Sequence, residues 1–112
     1  MTISEEIRGD VAVLVLRGNL LSGPDVTPFH DHVKELLSRD MKKVVVDFSK
    51  VKWCGSAMLG TLVASLSTLR DAGGDLRPAQ IMKKVRSVFF TTQLSAVFRT
   101  FDTVDEAVSS YA

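Results

Sequence analysis

The sequence has little cysteine and no long hydrophobic segment. Its single cysteine, Cys54, cannot form an internal disulfide and fits a reducing compartment. The longest run without charge, residues 53–69, is shorter than the roughly 20 residues of a membrane-spanning helix and is interrupted by Gly55 and Gly60. The start of the chain, MTISEEIRGD, is acidic and polar, whereas a signal peptide needs a basic start and an apolar core. These absences predict a cytoplasmic protein that does not insert into membranes.

The signature motifs of common enzymes and cofactor sites are also missing. No GxxxxGKS/T, GxGxxG, GxSxG, HExxH or CxxC occurs, so the sequence predicts no catalytic activity and no cofactor. His30 and His32 have no cysteine or third histidine at ligand spacing. Two residues apart on a helix, they do not share a face, so we predict surface positions and no metal site.

The charges are almost balanced, with 14 basic and 13 acidic residues and a formal net charge of +1. A balanced chain has no global field that would attract nucleic acid. Lys83, Lys84 and Arg86 form the one basic cluster. Without interleaved aromatic residues for base stacking, such a cluster is typical of a solvated helix start. The sequence therefore disfavours direct nucleic-acid binding.

The 112 residues are enough for a single domain, spanning residues 1–112, with its own core. Residues 2–7 and 11–17 read as a β-hairpin around the turn at Gly9. Strand and helix patterns then alternate, which predicts an α/β fold in the order β-β-α-β-α-β-α-β-α, with a mixed sheet of about five strands and about four helices. The fourth strand, residues 75–82, contains Pro78 and is expected near an edge of the sheet, and the fifth covers residues 97–101.

Residues 44–74 are the segment around which the rest of the chain is expected to be arranged. They begin with a buried strand, VVVDF, followed by a short connection and a helix from Ala57 to the Gly73-Gly74 stop. Ser56 is well placed to cap this helix, worth about 1 kcal/mol, or to act as a regulated hydroxyl. The predicted inner face of the helix consists of Leu59, Leu62, Val63, Leu66 and Leu69.

The other face of this helix carries no charge between Lys52 and Arg70. Solvated helix faces usually carry lysine and glutamate, and small neutral residues allow another backbone to approach closely. We therefore predict contact with a partner protein, with ordinary solvent exposure as the alternative. The positions predicted to face outward are Gly60, Thr61, Ala64, Ser65 and Thr68.

Asp47, at the end of the central strand, raises the possibility of a receiver domain. Receiver domains of two-component systems carry their phospho-accepting aspartate at such a position, but they also need an acidic pair after the first strand. Here that strand ends Leu-Arg-Gly-Asn, which disfavours a receiver domain. We predict instead that Asp47 bonds backbone amides in the turn over residues 49–52.

Three stretches together resemble the STAS domain, the fold of bacterial anti-sigma-factor antagonists: VVVDFSKVKWCGSAMLG, LRDAGGDLRPA and KKVRSVFFTTQLSAVFRTFDTVDEAV. The resemblance covers essentially the whole chain and implies a STAS-like fold. In that family a serine in an Asp-Ser-Ser-Gly-Leu-Gly type loop is phosphorylated by a kinase that is itself the anti-sigma factor. The unphosphorylated protein binds this kinase and frees the sigma factor, and a serine phosphatase resets the switch.

On this resemblance, Ser56 matches the phospho-acceptor serine and Leu59-Gly60 match the Leu-Gly that follows. Other positions depart from the family pattern, and they matter because kinase substrates are read through such neighbours. The departures are Gly55 for an acidic residue, Ala57 for a second hydroxyl residue, Met58 for glycine, and Leu21 for an aspartate near the serine.

The resemblance implies an anti-sigma-factor antagonist, monomeric or weakly dimeric, that is switched by phosphorylation of Ser56. The implied partners are an anti-sigma factor with serine kinase activity and a serine phosphatase. The alternative is an unphosphorylated STAS scaffold or subunit that binds a constant partner in a signalling or transport complex. The expected partner-binding residues are Gly55, Ser56, Ala57, Gly60, Thr61, Ala64 and Ser65.

Overall fold

The computed structural model of the chain describes residues 1–18, 20 and 23–112. No helix in this described part is long and apolar enough to cross a membrane. The order of strands and helices confirms the predicted α/β alternation after a hairpin. The elements are β1 (Thr2–Arg8), β2 (Val11–Arg17), α1 (Gly23–Ser38), β3 (Lys43–Asp47), α2 (Ser56–Asp71), β4 (Asp75–Ala79), α3 (Lys83–Thr91), a short 3-10 helix (Leu94–Ala96) and α4 (Val104–Ser109).

The described strands form one mixed sheet in the order β1-β2-β3-β4. β1 and β2 are antiparallel, whereas β2, β3 and β4 run parallel to one another. Gly9, in the turn of the hairpin, has a φ of +64°, a left-handed conformation that glycine adopts without steric cost. Because β2, β3 and β4 are parallel, their carboxyl ends meet at one edge of the sheet.

The predicted fifth strand is present only as an isolated bridge between Phe101 and Ala79. The Phe101 N–H donates to the Pro78 carbonyl at 3.0 Å, and the Phe101 carbonyl accepts from the Gln80 N–H at 3.0 Å. The 3-10 helix takes up the residues just before this segment, so little chain remains to extend the pairing. β4 therefore lies at the end of the sheet order, as Pro78 predicted, and the donor that proline lacks is not needed by the β3–β4 pairing.

The sheet is covered on both faces, which explains why β2 is apolar from Val11 to Leu16. Alternate residues of β2, such as Leu14, belong to the larger core, whereas Val13 belongs to a smaller cluster on the other face. Leu66 of α2 is in the larger core, as predicted. The largest fully buried side chains of this core include Leu14, Phe29, Leu36, Phe48, Met58, Leu62, Leu69 and Phe89.

Helix α4 covers the second face of the sheet. Thr103 caps it by accepting a hydrogen bond from the Glu106 N–H at 3.1 Å. Two residues after the end of the helix, Tyr111 places its hydroxyl 2.8 Å from the carbonyl oxygens of both Val44 and Asp75. Burial raises the pKa of Tyr111 above its usual range, so the hydroxyl stays protonated and can donate.

Candidate functional site

The loops that follow β2, β3 and β4 meet at the carboxyl edge of the sheet. Asp47 holds two of them together, because its Oδ1 accepts from the Ser49 N–H at 2.8 Å and from Gln80 Nε2 at 3.0 Å. This confirms the predicted bond from Asp47 to the following turn. The Gly55 N–H donates to the Leu20 carbonyl at 2.9 Å, which ties the β3–α2 loop to the connection after β2. In open α/β sheets this edge is the usual place for a binding site.

Ser56 is the first residue of α2 and lies at this edge. The prediction that it caps the helix is wrong, because the N-cap is Gly55 and no side chain caps it. The Gly55 carbonyl already accepts from the N–H groups of Met58 and Leu59 at 3.1 and 3.2 Å, so the helix starts one residue earlier than predicted. The Ser56 side chain is exposed. Its hydroxyl is therefore accessible beside the positive end of the helix dipole.

The helix is rotated slightly from its predicted orientation. Ser65, predicted to face outward, is fully buried, and its Oγ has no hydrogen-bond partner among the described residues. Thr68, also predicted outward, is half-buried, and its hydroxyl lies 3.0 Å from His30 Nε2 of α1. Because Thr61, Ser65 and Thr68 follow one stripe of the helix, the small side chains on this stripe accommodate α1 of the same chain.

The exposed face of α2 lies next to that stripe and begins at Ser56. Val63, predicted to be in the core, belongs to this face and is 38% exposed. It lines a shallow depression together with Ser67 and Val97, at the side of which the Arg70 guanidinium donates to the Val97 carbonyl at 3.0 Å. The exposed residues of α2 before Arg70 are Ser56, Gly60, Val63, Ala64 and Ser67.

The remaining predicted site residues lie around this face. Gly55, Ala57 and Thr61 are half-buried at the start of α2. Leu21 lies outside the described residues. Cys54, in the loop before Gly55, is fully buried, and burial raises the pKa of its thiol to about 11. It therefore remains an uncharged core residue at neutral pH.

Glu5, His32 and Glu35 bring three potential metal ligands together on the surface between β1 and α1. The Arg39 guanidinium already lies 2.7 Å from Glu5 and 3.2 Å from Glu35, and it supplies the positive charge that a metal would bring. Hydrogen bonds from Arg39 and His32 hold the pKa of Glu5 below its usual value. The two histidines face different elements, as predicted, but both are half-buried and not fully exposed.

Sequence reasoning missed the position of Trp53. This side chain is 45% exposed in the β3–α2 loop, and Lys84 Nζ of α3 lies 5.7 Å from its ring centroid. The basic cluster at the start of α3 is exposed, as predicted, but an aromatic residue from a different loop lies against it. A large aromatic residue in a polar loop, directly after Lys52, was the available signal.

The chain thus has a mixed sheet with helices on both faces and an exposed serine at the start of the helix that follows β3. The family model described as "STAS domain" matches residues 2–107, and the chain belongs to this family. This result confirms the resemblance and the fold class predicted from the sequence.

Solved structures show the same fold. A Thermotoga maritima protein assigned as an anti-sigma factor antagonist is 26% identical, with a TM-score of 0.89 over 96% of this chain and 92% of that one. The phosphorylated form of the Bacillus cell fate determinant SpoIIAA is 16% identical, with a TM-score of 0.76 over 99% of this chain and 100% of that one. A murine Solute Carrier 26 family anion transporter is 15% identical, with a TM-score of 0.74 over 92% of this chain but only 18% of the transporter.

Proposed function

We propose that this chain is an anti-sigma-factor antagonist that is switched by phosphorylation of Ser56. In this proposal it acts in the cytoplasm without catalysing a reaction, as a monomer or weak dimer. It binds an anti-sigma factor that has serine kinase activity, and a serine phosphatase reverses the modification. One observation carries the proposal: Ser56 is the first residue of α2, its side chain is exposed, and its hydroxyl does not cap the helix. The fold shared with anti-sigma factor antagonists supports it.

The proposed docking face is the exposed face of α2. Ser56, Gly60 and Ala64 follow one another at four-residue spacing, so they form a nearly continuous row of small side chains. Apart from the neighbouring residues and backbone of α2 itself, no heavy atom lies within 4 Å of where a Cβ on Gly60 would be, so the row opens to solvent. A partner backbone can approach such a row closely. Gly55, Ala57 and Thr61 flank it, whereas the buried Ser65 is no longer part of the proposed face.

Phosphorylation would change this face without disturbing the fold. The phosphate adds about −1.5 to −2 charges and three strongly hydrated oxygens. At the start of α2 it lies at the favourable end of the helix dipole, so the domain tolerates it. A partner docked over Ser56 would have to remove the water from these oxygens. The phosphorylated chain is therefore expected to release its partner while it remains folded.

Ser56→Asp should lower partner affinity by at least about tenfold, equivalent to about 1.4 kcal/mol, with little change in melting temperature. The carboxylate brings charge to the docking face but does not disturb the core, because Ser56 is exposed. Calorimetric titration of the captured kinase partner measures the effect. Ser109→Asp is the matched control, since Ser109 is an exposed serine of α4 on the other face of the sheet. Equal affinity of the Ser56→Asp and wild-type chains would contradict the proposal.

Ala64→Arg should also weaken partner binding while leaving the free energy of unfolding nearly unchanged. Ala64 is exposed two turns after Ser56, so a bulky cation there would be desolvated on docking. Ala72→Arg is the matched control, because Ala72 is exposed at the opposite end of α2. A pull-down with the same partner compares the variants. Retention of the partner by Ala64→Arg would show that this face stays in solvent.

A STAS scaffold without phosphorylation is the second candidate, and the Met58 side chain favours it. The family's pattern has glycine at this position, whereas Met58 is fully buried in the larger core. This side chain anchors the first turn of α2, and the residues around Ser56 are not those the family's kinases usually meet. In this alternative the same face of α2 binds a constant partner of a signalling or transport complex. The presence of phosphate on Ser56 separates the two functions.

A further inference from the structure

The nearly neutral net charge conceals a separation of charge along the chain. Residues 48–70 and 76–101 contain no aspartate or glutamate, so every acidic residue lies outside these two segments. The two segments include the β3–α2 loop, most of α2 and all of α3. Their basic residues are Lys50, Lys52, Arg70, Arg77, Lys83, Lys84, Arg86 and Arg99.

Four of these lysines lie at the carboxyl edge of the sheet. Lys50 and Lys52 belong to the loop after β3, and Lys83 and Lys84 begin α3, which follows β4. β3 and β4 are parallel neighbours, so the segments that follow them emerge side by side. The contact of Lys84 with the Trp53 ring joins the two segments directly. We call the surface formed by Lys50, Lys52, Trp53, Lys83 and Lys84 the Trp53 surface.

The positive charge of the Trp53 surface is not neutralised by the described part of the chain. Three of the four other basic residues of the two segments have acidic neighbours: Arg70 and Arg77 contact Asp75, and Arg86 lies 3.6 Å from Asp102. No ion pair involves Lys50, Lys52, Lys83 or Lys84 among the described residues, and all four side chains are exposed. Unpaired lysines around an exposed tryptophan produce a local positive potential beside a large apolar contact.

We propose that the Trp53 surface binds an acidic segment of the protein that docks over Ser56. This inference rests on the proposed function and specifies the chemistry of the partner. Carboxylates of the partner pair with the lysines, and an apolar side chain packs against Trp53. Since Ser56 is only three residues after Trp53, a phosphate on Ser56 would offer these lysines an alternative negative charge. The phosphate would then compete with the partner's carboxylates for these lysines, in addition to blocking docking over Ser56.

A protein segment fits this surface better than a nucleic acid does. Single-stranded nucleic acids are held by basic grooves with several stacked aromatic residues. Here one tryptophan is accompanied by a few lysines and by the exposed apolar side chain of Met82, which directly precedes Lys83. This combination of basic and apolar groups complements a polypeptide that alternates acidic and apolar residues.

The intrinsic fluorescence of Trp53 provides a direct test, because it is the only tryptophan of the chain. The probe is a synthetic glutamate-rich peptide with interspersed leucines, added to the whole protein at low salt. We expect its binding to change the Trp53 emission and to weaken as NaCl rises from about 0.05 to about 0.5 M. The double variant Lys52→Glu, Lys84→Glu should lose at least about tenfold in affinity for the peptide.

Lys42→Glu is the matched control, because Lys42 is an exposed lysine that precedes β3 and so lies at the opposite edge of the sheet. It should bind the peptide as tightly as the wild type, and thermal melts should show both variants folded. The proposal is overturned if the peptide leaves Trp53 emission unchanged, or if Lys42→Glu loses as much affinity as the double variant. Binding of polyuridine or phosphatidylserine vesicles at least about tenfold tighter than the peptide would also overturn it, in favour of nucleic acid or membrane.

Binding of the kinase partner to the Ser56→Asp variant and to the double lysine variant distinguishes this inference from the proposed function. If partner binding responds to Ser56→Asp but not to Lys52→Glu, Lys84→Glu, the acidic docking segment is wrong and the function stands. If the lysine variant loses the peptide but no partner responds to Ser56, the proposed function is wrong and the acid-binding surface stands.

Discussion

Phe89→Ala is expected to lower the free energy of unfolding by about 3–5 kcal/mol, the cost of removing a buried aromatic ring and leaving a cavity. Phe89 is almost completely buried in α3. Its ring meets Phe48 edge-on at 6.0 Å and Phe98 at 5.9 Å, so it joins the end of β3 to α3 and to the chain after α3. Urea unfolding monitored by circular dichroism measures the loss.

The adjacent residue provides the control. Phe90 has the same side chain on the same helix but is 76% exposed. Phe90→Ala should therefore change the free energy of unfolding by no more than about 0.5 kcal/mol. Similar losses for the two variants would show that α3 is rotated from the orientation described above. In that case Lys83 and Lys84 would not lie beside Trp53.

Gly74→Ala should destabilise the fold by about 3 kcal/mol, because the new methyl group has no space. A Cβ on Gly74 would lie 1.9 Å from the carbonyl oxygen of Lys42 and 2.7 Å from its carbonyl carbon. Both are backbone atoms beside β3, so the clash cannot be relieved by a side-chain rotation. Gly74 also donates its N–H to the Leu69 carbonyl at 2.8 Å, which fixes its position after α2.

Gly60→Ala tests the same substitution where space is available. Gly60 is in the interior of α2, and a Cβ there would have no heavy atom within 4 Å apart from the neighbouring residues and backbone of the helix itself. Removing a flexible residue from a helix should stabilise the protein by about 0.5–1 kcal/mol. Thermal unfolding of the two variants should therefore move in opposite directions. A neutral Gly74→Ala would contradict the close approach of the α2–β4 connection to the residues before β3.

Local sequence signals predicted most of the fold. The hairpin followed from two β-rich runs around Gly9, and the edge position of β4 followed from Pro78 alone. The Gly73-Gly74 stop sets the end of α2 as expected. Such signals act within a few residues of the chain, and for this reason they can be recognised without the tertiary structure. The fifth strand was overestimated, since an apolar run of five residues does not show whether its neighbours leave room to pair.

The orientation of α2 was harder to predict than its existence. One residue turns a helix by about 100°, and small polar residues fit a solvated face and a helix–helix contact equally well. Ser65 and Thr68 were therefore assigned to the outside although they face α1, and Val63 was assigned to the core although it is exposed. The contact between Trp53 and Lys84 joins the β3–α2 loop to α3 across 31 positions of the sequence, and no local pattern indicates it.

We propose that Ser56 is the residue at which the protein is switched. The most direct measurement is phosphate mapping by mass spectrometry after the protein is incubated with its captured kinase partner and ATP. Ser56→Ala is the negative control, and it should remain folded, because Ser56 is exposed and does not cap α2. We expect one phosphate, on Ser56, in the wild type and none in Ser56→Ala. Phosphate at another residue, or an unmodified wild type under conditions that phosphorylate a known substrate, would contradict it.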